Sequence, residues 1–306
     1  DNKGYFVKKL VLAFSMGLLS VAPPAIAEEL LFGEQEMPVV LSATRLKQAV
    51  ADAPASITII DRQMIAQSGA REIPDVLRLV PGMVVGYEKG WEAFVSYHGT
   101  SADMARRMQV LIDGRSVFQP SLAFVDWIGL PLELDDIDRI EVVRGPNAAA
   151  YGANSFLAVV NIITRNPADL PTVRAYTRQG GEGINDNYVS YAGATERLSW
   201  QLSANQRNDS GFSTSYRYET QLDAQGKKVF DSKGNAVKVW NPYPYPDDKR
   251  QKAVYGQVIF DNNVSSFHMN AGHSEMTGGN FPEDGLVQFL EEPDLVSSQN
   301  YLNLAF

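Results

Sequence analysis

Residues 136–167 read DIDRIEVVRGPNAAAYGANSFLAVVNIITRNP, and this stretch decides the fold. Its first part, from Ile137 to Val143, is rich in Ile and Val. It stops at Arg144-Gly145-Pro146, where Gly permits unusual backbone angles and Pro removes a hydrogen-bond donor. A second apolar run spans Phe156 to Ile163 and ends at the turn pair Asn166-Pro167. The pattern predicts two buried strands joined by a tight turn.

These motifs resemble the plug domain of TonB-dependent outer-membrane receptors. In that family a strand R-I-E-V-x-R-G-P is followed by Y-G and then by G-V-[IV]-N-I-I-T. Here residues 139–146 read RIEVVRGP, residues 151–152 read YG and residues 159–164 read VVNIIT. Upstream, Val80-Pro81-Gly82 and residues 110–114 (VLIDG) match two further motifs of the family. The match is long and ordered, so it is more specific than any of its fragments.

The sequence departs from the family at Tyr97-His98-Gly99, where the family usually has I-R-G. Histidine changes its charge near neutral pH, so a charge pair at His98 would be weaker than one formed by Arg and would depend on pH. We favour the other interpretation, in which His98 is a structural histidine without such a role.

The N-terminus predicts a secretory signal peptide at residues 1–27. Basic residues are followed by an apolar run from Leu10 to Val21 and by Ala25-Ile26-Ala27. A membrane-anchoring helix is the alternative, but the run is shorter than the roughly 20 residues that such a helix needs. We therefore expect an exported protein.

Residues 28–48 are predicted to be a periplasmic leader. Pro38 disfavours a helix, and the Val and Leu residues that follow it could pair with an exposed edge strand of a partner. By the resemblance, this segment is the TonB box, which binds the inner-membrane TonB complex. The expected TonB-binding residues are Glu36, Met37, Pro38, Val39, Val40 and Leu41. An ordinary flexible leader is the alternative, and we expect no separate signalling domain before the box.

The plug domain is predicted at residues 49–168. Ser56–Ile60 is β-branched, Asp61 is a suitable N-cap, and residues 62–68 are predicted to form a helix that ends at Gly69. A second apolar helix face begins at Ile73, and a strand resumes at Met83. We interpret this order as an opening βαβ unit.

Two plug segments carry aromatic side chains among polar residues, which is typical of binding surfaces. One is the turn from Gly86 to Glu92, and the other is the loop from Arg115 to Trp127. In the family, loops at these positions point outward and help to hold the ligand. The expected ligand-binding residues are Tyr87, Trp91, Phe118, Gln119, Phe124 and Trp127. For Phe124 and Trp127, packing beneath the loop is an equal alternative.

Residues 169–306 alternate between apolar and polar side chains, as in Leu198–Asn205, where every second residue is apolar or small. Six such strands are predicted, separated by short turns and by two long polar loops at residues 208–250 and 277–293. The alternation is typical of a transmembrane β-barrel, and a soluble β-sandwich is the alternative. The family's barrel has about 22 strands and six cannot close. The predicted fold is thus an α+β plug followed by an incomplete antiparallel barrel, and we expect an N-terminal fragment.

Composition and motifs argue against other functions. The chain has 306 residues, of which 36 are acidic and 27 basic, and no basic block that would favour nucleic acid. It has no cysteine, which excludes disulfides and thiolate chemistry. Hydrolase, metalloprotease and nucleotide-binding motifs are absent, so we expect no enzyme activity, catalytic residue, cofactor or metal site. Asp135, Asp136 and Asp138 could hold a cation, but we expect them to cap and solvate the next strand.

The expected function is TonB-dependent uptake of a scarce nutrient across the outer membrane of a Gram-negative bacterium. The expected partners are the TonB complex, a small-molecule ligand such as an iron chelate, and the outer-membrane lipid bilayer. Among ligands we favour a ferric siderophore over haem, cobalamin or a glycan. An energy-independent surface-binding protein or adhesin on the same scaffold is one alternative function. A truncated reading frame without transport activity is another.

Overall fold

The computed structural model describes residues 39–40, 48–49, 56–90, 92–99, 107–119, 124–152, 154–211, 215–243, 247–262, 264–278 and 295–305. The elements up to residue 164 are β1 (Val39–Val40), β2 (Gln48–Ala49), β3 (Ser56–Asp61), α1 (Arg62–Gln67), α2 (Ile73–Leu77), β4 (Met83–Lys89), β5 (Glu92–Tyr97), β6 (Met108–Ile112), β7 (Arg115–Ser116), β8 (Ile137–Arg144), α3 (Ala148–Tyr151) and β9 (Ala158–Thr164). Those that follow are β10 (Val173–Gln179), β11 (Asn185–Ala194), β12 (Leu198–Asp209), β13 (Ser215–Thr220), β14 (Lys238–Tyr243), β15 (Lys249–Asp261), β16 (Ser266–Gly278) and β17 (Leu295–Ala305).

The plug is built on a mixed sheet of order β3-β8-β9-β6-β7. Its central strands are buried on both faces, as their continuous Ile and Val runs predict: Ile140, Val160 and Ile162 are fully enclosed. β8 and β9 pair antiparallel, which confirms the two predicted strands. The prediction of a tight turn between them is wrong, because residues 145–157 form a longer connection that contains α3.

The opening of the plug differs from the predicted βαβ unit. The cap of α1 is as expected, since the Asp61 carboxylate accepts a hydrogen bond from the N–H of Met64 at 2.8 Å. β3, however, pairs antiparallel with β8, whereas β4 lies in a separate hairpin with β5. The chain reverses at Gly90 directly after β4, and β4 and β5 form a two-stranded sheet of their own. The βαβ interpretation is therefore wrong.

The second sheet contains six antiparallel strands in the order β10-β11-β12-β15-β16-β17. Its buried face is polar: Ser190, Gln201 and Gln257 are at most 3% exposed. Its open face is apolar, with Leu202 57% and Leu302 64% exposed. A water-soluble sheet has the opposite arrangement, and the observed one suits strands whose outer face contacts lipid.

The long loop between β12 and β15 contains more structure than its composition predicts. β13 and β14 form a hairpin within it. Between them, Asp223 and Asp231 each begin a tight turn, and the carboxylate of Asp231 accepts hydrogen bonds from the N–H groups of Lys233 and Asn235, both at 2.8 Å. None of the helices in the described ranges has the length and hydrophobicity that crossing a bilayer requires.

Candidate functional site at the interface of plug and strands

The plug packs against the polar face of the six-stranded sheet, and two ends of this interface can be distinguished. We define the outer end as the one with the long connections 210–248 and 279–294, and the inner end as the one with the short turns 195–197 and 262–265. In outer-membrane barrels long loops are extracellular and short turns periplasmic. The outer end is therefore where a ligand from the medium would arrive.

At the outer end, the β4–β5 hairpin of the plug is tied to the base of the long loop. The ammonium group of Lys249 pairs with the carboxylate of Glu72 and donates a hydrogen bond to the carbonyl of Gly90 at 3.0 Å. The N–H of Gly90 donates to the carboxylate of Asp247. The Tyr87 hydroxyl donates to Glu72 at 3.2 Å, and burial together with the Glu72 charge raises the pKa of Tyr87. We call these five residues the outer cluster.

Arg71 forms a second link at the same end. Its guanidinium contacts Asp186 at 2.9 Å and Asp209 at 2.7 Å on neighbouring strands β11 and β12. Burial disfavours the charge of Arg71, but the hydrogen bonds and charges of the two carboxylates outweigh this effect and raise its pKa. Nearby, the plug residue Glu133 pairs with Arg207 of β12 at 3.2 Å, and both side chains are at most 7% exposed. Pairs this enclosed are costly to break.

Asp136 accepts hydrogen bonds from four side chains on the strands. Only 1% exposed, it accepts hydrogen bonds from Arg174 at 2.9 Å and Ser203 at 2.8 Å, and also from Tyr188 and Gln201. These four donors lie on three adjacent strands, β10 to β12. Burial raises the pKa of Asp136, and the hydrogen bonds from Tyr188 and Ser203 oppose that rise. Asp136 therefore neither caps β8 nor points to solvent, so that expectation is wrong for it.

The inner end has a cavity of about 470 Å³ between the plug and strands β15 and β16. Asp113 lies on its wall and accepts hydrogen bonds from the Thr164 hydroxyl at 2.8 Å and from Asn270 at 3.2 Å. Burial raises the pKa of Asp113, and its hydrogen bonds with Thr164 oppose this. The Gln257 amide links Thr164 to His268, whose ring nitrogen is 3.0 Å away. In the described part of the chain, no group of three or more His, Cys, Asp or Glu side chains could hold a metal ion.

The predicted ligand-binding residues lie in different environments in the structure. Tyr87 is half-buried in the outer cluster, and Phe118 is half-buried against the plug core. Gln119 and Phe124 are joined by a backbone hydrogen bond of 2.9 Å that closes the loop between them. Trp127 is 4% exposed and belongs to the core, so packing beneath the loop is the alternative that holds for it. Trp91 lies outside the described residues.

The leader is described only in part. Val39 and Val40 pair antiparallel with Ala49 and Gln48, which agrees with extended backbone at the predicted TonB box. The other predicted box residues, Glu36, Met37, Pro38 and Leu41, lie outside the described residues.

Comparison with known proteins agrees with this architecture. A family model described as the TonB-dependent Receptor Plug Domain matches residues 49–159. The chain belongs to the TonB-dependent outer-membrane receptors. This confirms the resemblance drawn from residues 136–167 and places the protein in the outer membrane.

This TonB-dependent receptor is 28% identical over 197 residues to the vitamin B12 transporter BtuB of Photobacterium profundum, a match that covers 63% of this chain and 31% of BtuB. It is 29% identical over 203 residues to an iron-regulated outer membrane virulence protein of Vibrio cholerae, covering 62% and 30%. Its fold resembles the ferripyoverdine receptor of Pseudomonas aeruginosa, with a TM-score of 0.58 at 17% identity, over 87% of this chain and 33% of that receptor. The chain spans about a third of the length of the relatives it matches.

Sequence reasoning missed the charged residues that join this receptor's plug to its strands, namely Arg71, Glu72, Glu133 and Asp136. Each stands beside an apolar run, where a charge is usually a solvated flank. The sequence feature that could have indicated them lies in the strands, on the other side of the interface. The inward positions of the strands carry Asp186, Arg207 and Lys249, and charges on an enclosed face need partners of opposite sign.

Proposed function

We propose that this chain is the plug and adjoining barrel portion of a receptor that imports a scarce nutrient by the TonB-dependent route. The division into a signal peptide at residues 1–27, a leader at 28–48, a plug at 49–168 and barrel strands at 169–306 is part of this proposal. Of the relatives described above, one is named as a transporter, one as a receptor and one as an iron-regulated outer membrane virulence protein.

The observation that carries the proposal is the nature of the plug interface. Among the described residues, buried hydrogen bonds and ion pairs centred on Asp136, Arg71 and Glu133 join the plug to the strands. Water can replace such contacts, whereas a fused apolar core would separate only with a large hydrophobic penalty. A plug held in this way can be stable at rest and still be rearranged when its N-terminal leader is pulled.

At the outer end, where we expect the ligand to bind, the outer cluster joins the plug to the long loop in the same polar way. It connects the β4–β5 hairpin of the plug, which carries Tyr87, to the base of the long outer loop through Asp247 and Lys249. A ligand held between Tyr87, Trp91, Phe118, Gln119 and Phe124 and that loop would therefore change contacts that the plug itself makes.

For the ligand we favour a ferric siderophore, as the similarity to an iron-regulated protein and to a ferripyoverdine receptor supports. Cobalamin is the second candidate, supported by the similarity to vitamin B12 transporters. Uptake of radiolabelled iron chelate and of radiolabelled cobalamin, each into cells starved for that nutrient, separates the two candidates.

The decisive experiment deletes Glu36–Leu41 from the receptor in its native host. We expect ligand binding at the cell surface to persist and uptake to stop, because the plug would lose its connection to TonB. Uptake at the undeleted rate would refute the proposal. Surface binding that never depended on TonB or on the proton gradient in the undeleted protein would instead favour an adhesin-like function.

A further inference from the structure

Toward the inner end of the interface, the strands hold the plug unevenly. The strand register places Gln201 of β12, Gln257 of β15 and Asn270 of β16 in one row across the sheet, so these three side chains lie at the same height. Each of them contacts the plug and is at most 3% exposed. The contacts that they make there can therefore be compared directly.

On the β12 side of this row the plug is attached through charged groups. Gln201 donates a hydrogen bond to Asp136, whose carboxylate also pairs with the guanidinium of Arg174 on β10 at 2.9 Å. The side chains of Asp136 and Arg174 are 1% and 12% exposed. An ion pair this enclosed is costly to break, because either charge would be left buried without its partner. We therefore expect the plug to stay attached here when its leader is pulled.

On the β15 and β16 side of the same row the plug is attached by isolated hydrogen bonds. Asn270 donates to the Asp113 carboxylate at 3.2 Å, and the Thr164 hydroxyl lies 3.4 Å from the side-chain oxygen of Gln257. Within the described residues, ion pairs from the plug reach β15 and β16 only in the outer cluster. Water can replace single hydrogen bonds at small net cost. We therefore expect the plug to separate from β15 and β16 at this height before it separates from β12.

The cavity of about 470 Å³ at the inner end, which we call the inner cavity, lies on this weakly attached side. Its wall combines Asp113 and Thr164 of the plug with Gln257, Ile259 and His268 of the strands. Its volume is within the range of sites that hold small molecules. Separation at this point enlarges an existing space, whereas separation at β12 would have to open one between packed side chains.

We propose that the inner cavity is the route by which the ligand passes into the periplasm. The plug opens this route by turning away from β15 and β16 while it remains attached to β10, β11 and β12. The inference rests on the proposed function, because the pull of TonB on the leader supplies the force. A passing ligand meets the amide, hydroxyl and carboxylate groups of Gln257, Thr164 and Asp113, which suit a polar molecule that forms several hydrogen bonds.

The test introduces single thiols into the receptor in its native host, since the chain has no cysteine of its own. Asn270→Cys places a thiol beside Asp113, and Ser190→Cys places one beside Arg174 on the β10–β12 side. Both native side chains are 1% exposed, so a small water-soluble thiol reagent should reach neither at rest.

Labelling is then followed in starved cells during uptake of radiolabelled ferric siderophore, or of radiolabelled cobalamin if only that is taken up. Labelling of Asn270→Cys should become at least about tenfold faster, because local opening exposes the thiol. Labelling of Ser190→Cys should stay slow. The receptor without an introduced thiol gives the background, which is subtracted.

Gln257→Cys provides a second thiol at the inner cavity, where the native side chain is 2% exposed, in case Asn270→Cys does not fold. Heat-modified gel mobility shows which variants are folded. Deleting Glu36–Leu41 should abolish the faster labelling, because the plug is then no longer pulled. Equally fast labelling on both sides of the plug, or slow labelling on both sides while uptake proceeds, would overturn this inference alone. Absence of TonB-dependent uptake by the unaltered receptor would overturn the proposed function on which it rests.

Discussion

Replacing Asp136 tests whether polar contacts hold the plug against the strands. In Asp136→Ala the Arg174 guanidinium, 12% exposed, loses the carboxylate that it pairs with at 2.9 Å. Tyr188, Gln201 and Ser203 lose their acceptor at the same time. Removing one partner of a buried ion pair costs about 3 to 5 kcal/mol, because the other charge stays buried without compensation. We expect the free energy that keeps the plug in place to fall by that amount.

Hydrogen–deuterium exchange of β8 and β9 measures this change directly. Amides that exchange only when the plug opens should do so between about 10² and 10⁴ times faster in Asp136→Ala, which is the same free energy expressed as a rate ratio. Asp136→Asn keeps the shape and one acceptor oxygen, so its effect should be roughly half as large in free energy.

The neighbouring residue Asp138 provides the control. It pairs with Arg139 at 2.8 Å on the surface, and its side chain is 47% exposed. Exposed pairs contribute at most about 1 kcal/mol, so Asp138→Ala should change exchange less than tenfold. If Asp136→Ala changed exchange no more than Asp138→Ala does, the interface would not depend on this carboxylate, and our account of plug attachment would be wrong.

Three further outcomes are expected. Lys249→Met leaves the Glu72 carboxylate, 3% exposed, without its ammonium partner and should weaken ligand binding about tenfold or more in calorimetric titration. Trp127→Ala removes a core side chain and should lower the free energy of unfolding by about 3 to 5 kcal/mol in denaturant titration. A hydrogen bond from the backbone N–H of Asn235 lowers the pKa of Asp231. The turn that Asp231 begins should therefore be stable above the pKa of about 3.9 that Asp has in an unfolded chain. It should be lost as the pH falls through the lower pKa of Asp231 in the folded state. Protection factors from amide hydrogen exchange at residues 231–237 measure that loss.

Each of these outcomes has its own control. Lys227→Met removes an exposed lysine of the outer loop and should leave ligand affinity unchanged. Phe118→Ala truncates a half-buried side chain and should cost less than half as much stability as Trp127→Ala. Asp231→Asn should lower the protection factors of the turn amides at neutral pH and make them insensitive to acid. Protection factors of the turn amides that stayed constant down to pH 2 in the native protein would contradict the role assigned to Asp231.

Much of the fold could be predicted because local sequence patterns determine where its strands lie. The runs of Ile and Val in β8 and β9 could be stable only as buried strands, and the family motifs confirmed their order. The strand alternation after residue 169 predicted all six strands of the sheet. Pairing was less predictable. The position of β3 beside β8 depends on which edge of β8 is free, and no feature of residues 56–89 specifies this.

The candidate site was less predictable than the fold. Aromatic residues in loops suggested a binding surface, but only the structure distinguished the half-buried Phe118 from Trp127, whose ring lies in the core. Both residues have the same local character, and the difference arises from what packs above them.

The sequence by itself determined the family, the plug strands and the two-faced strands that follow, because hydrophobic periodicity and turn residues act over a few neighbouring positions. Only the tertiary structure decided that Asp136 joins the plug to three strands, since its four partners lie 38 to 67 residues further along the chain. A carboxylate at a strand end has the same sequence pattern whether it faces water or a buried arginine. Burial and charge compensation, which distinguish the two, exist only once the plug and the strands have packed together.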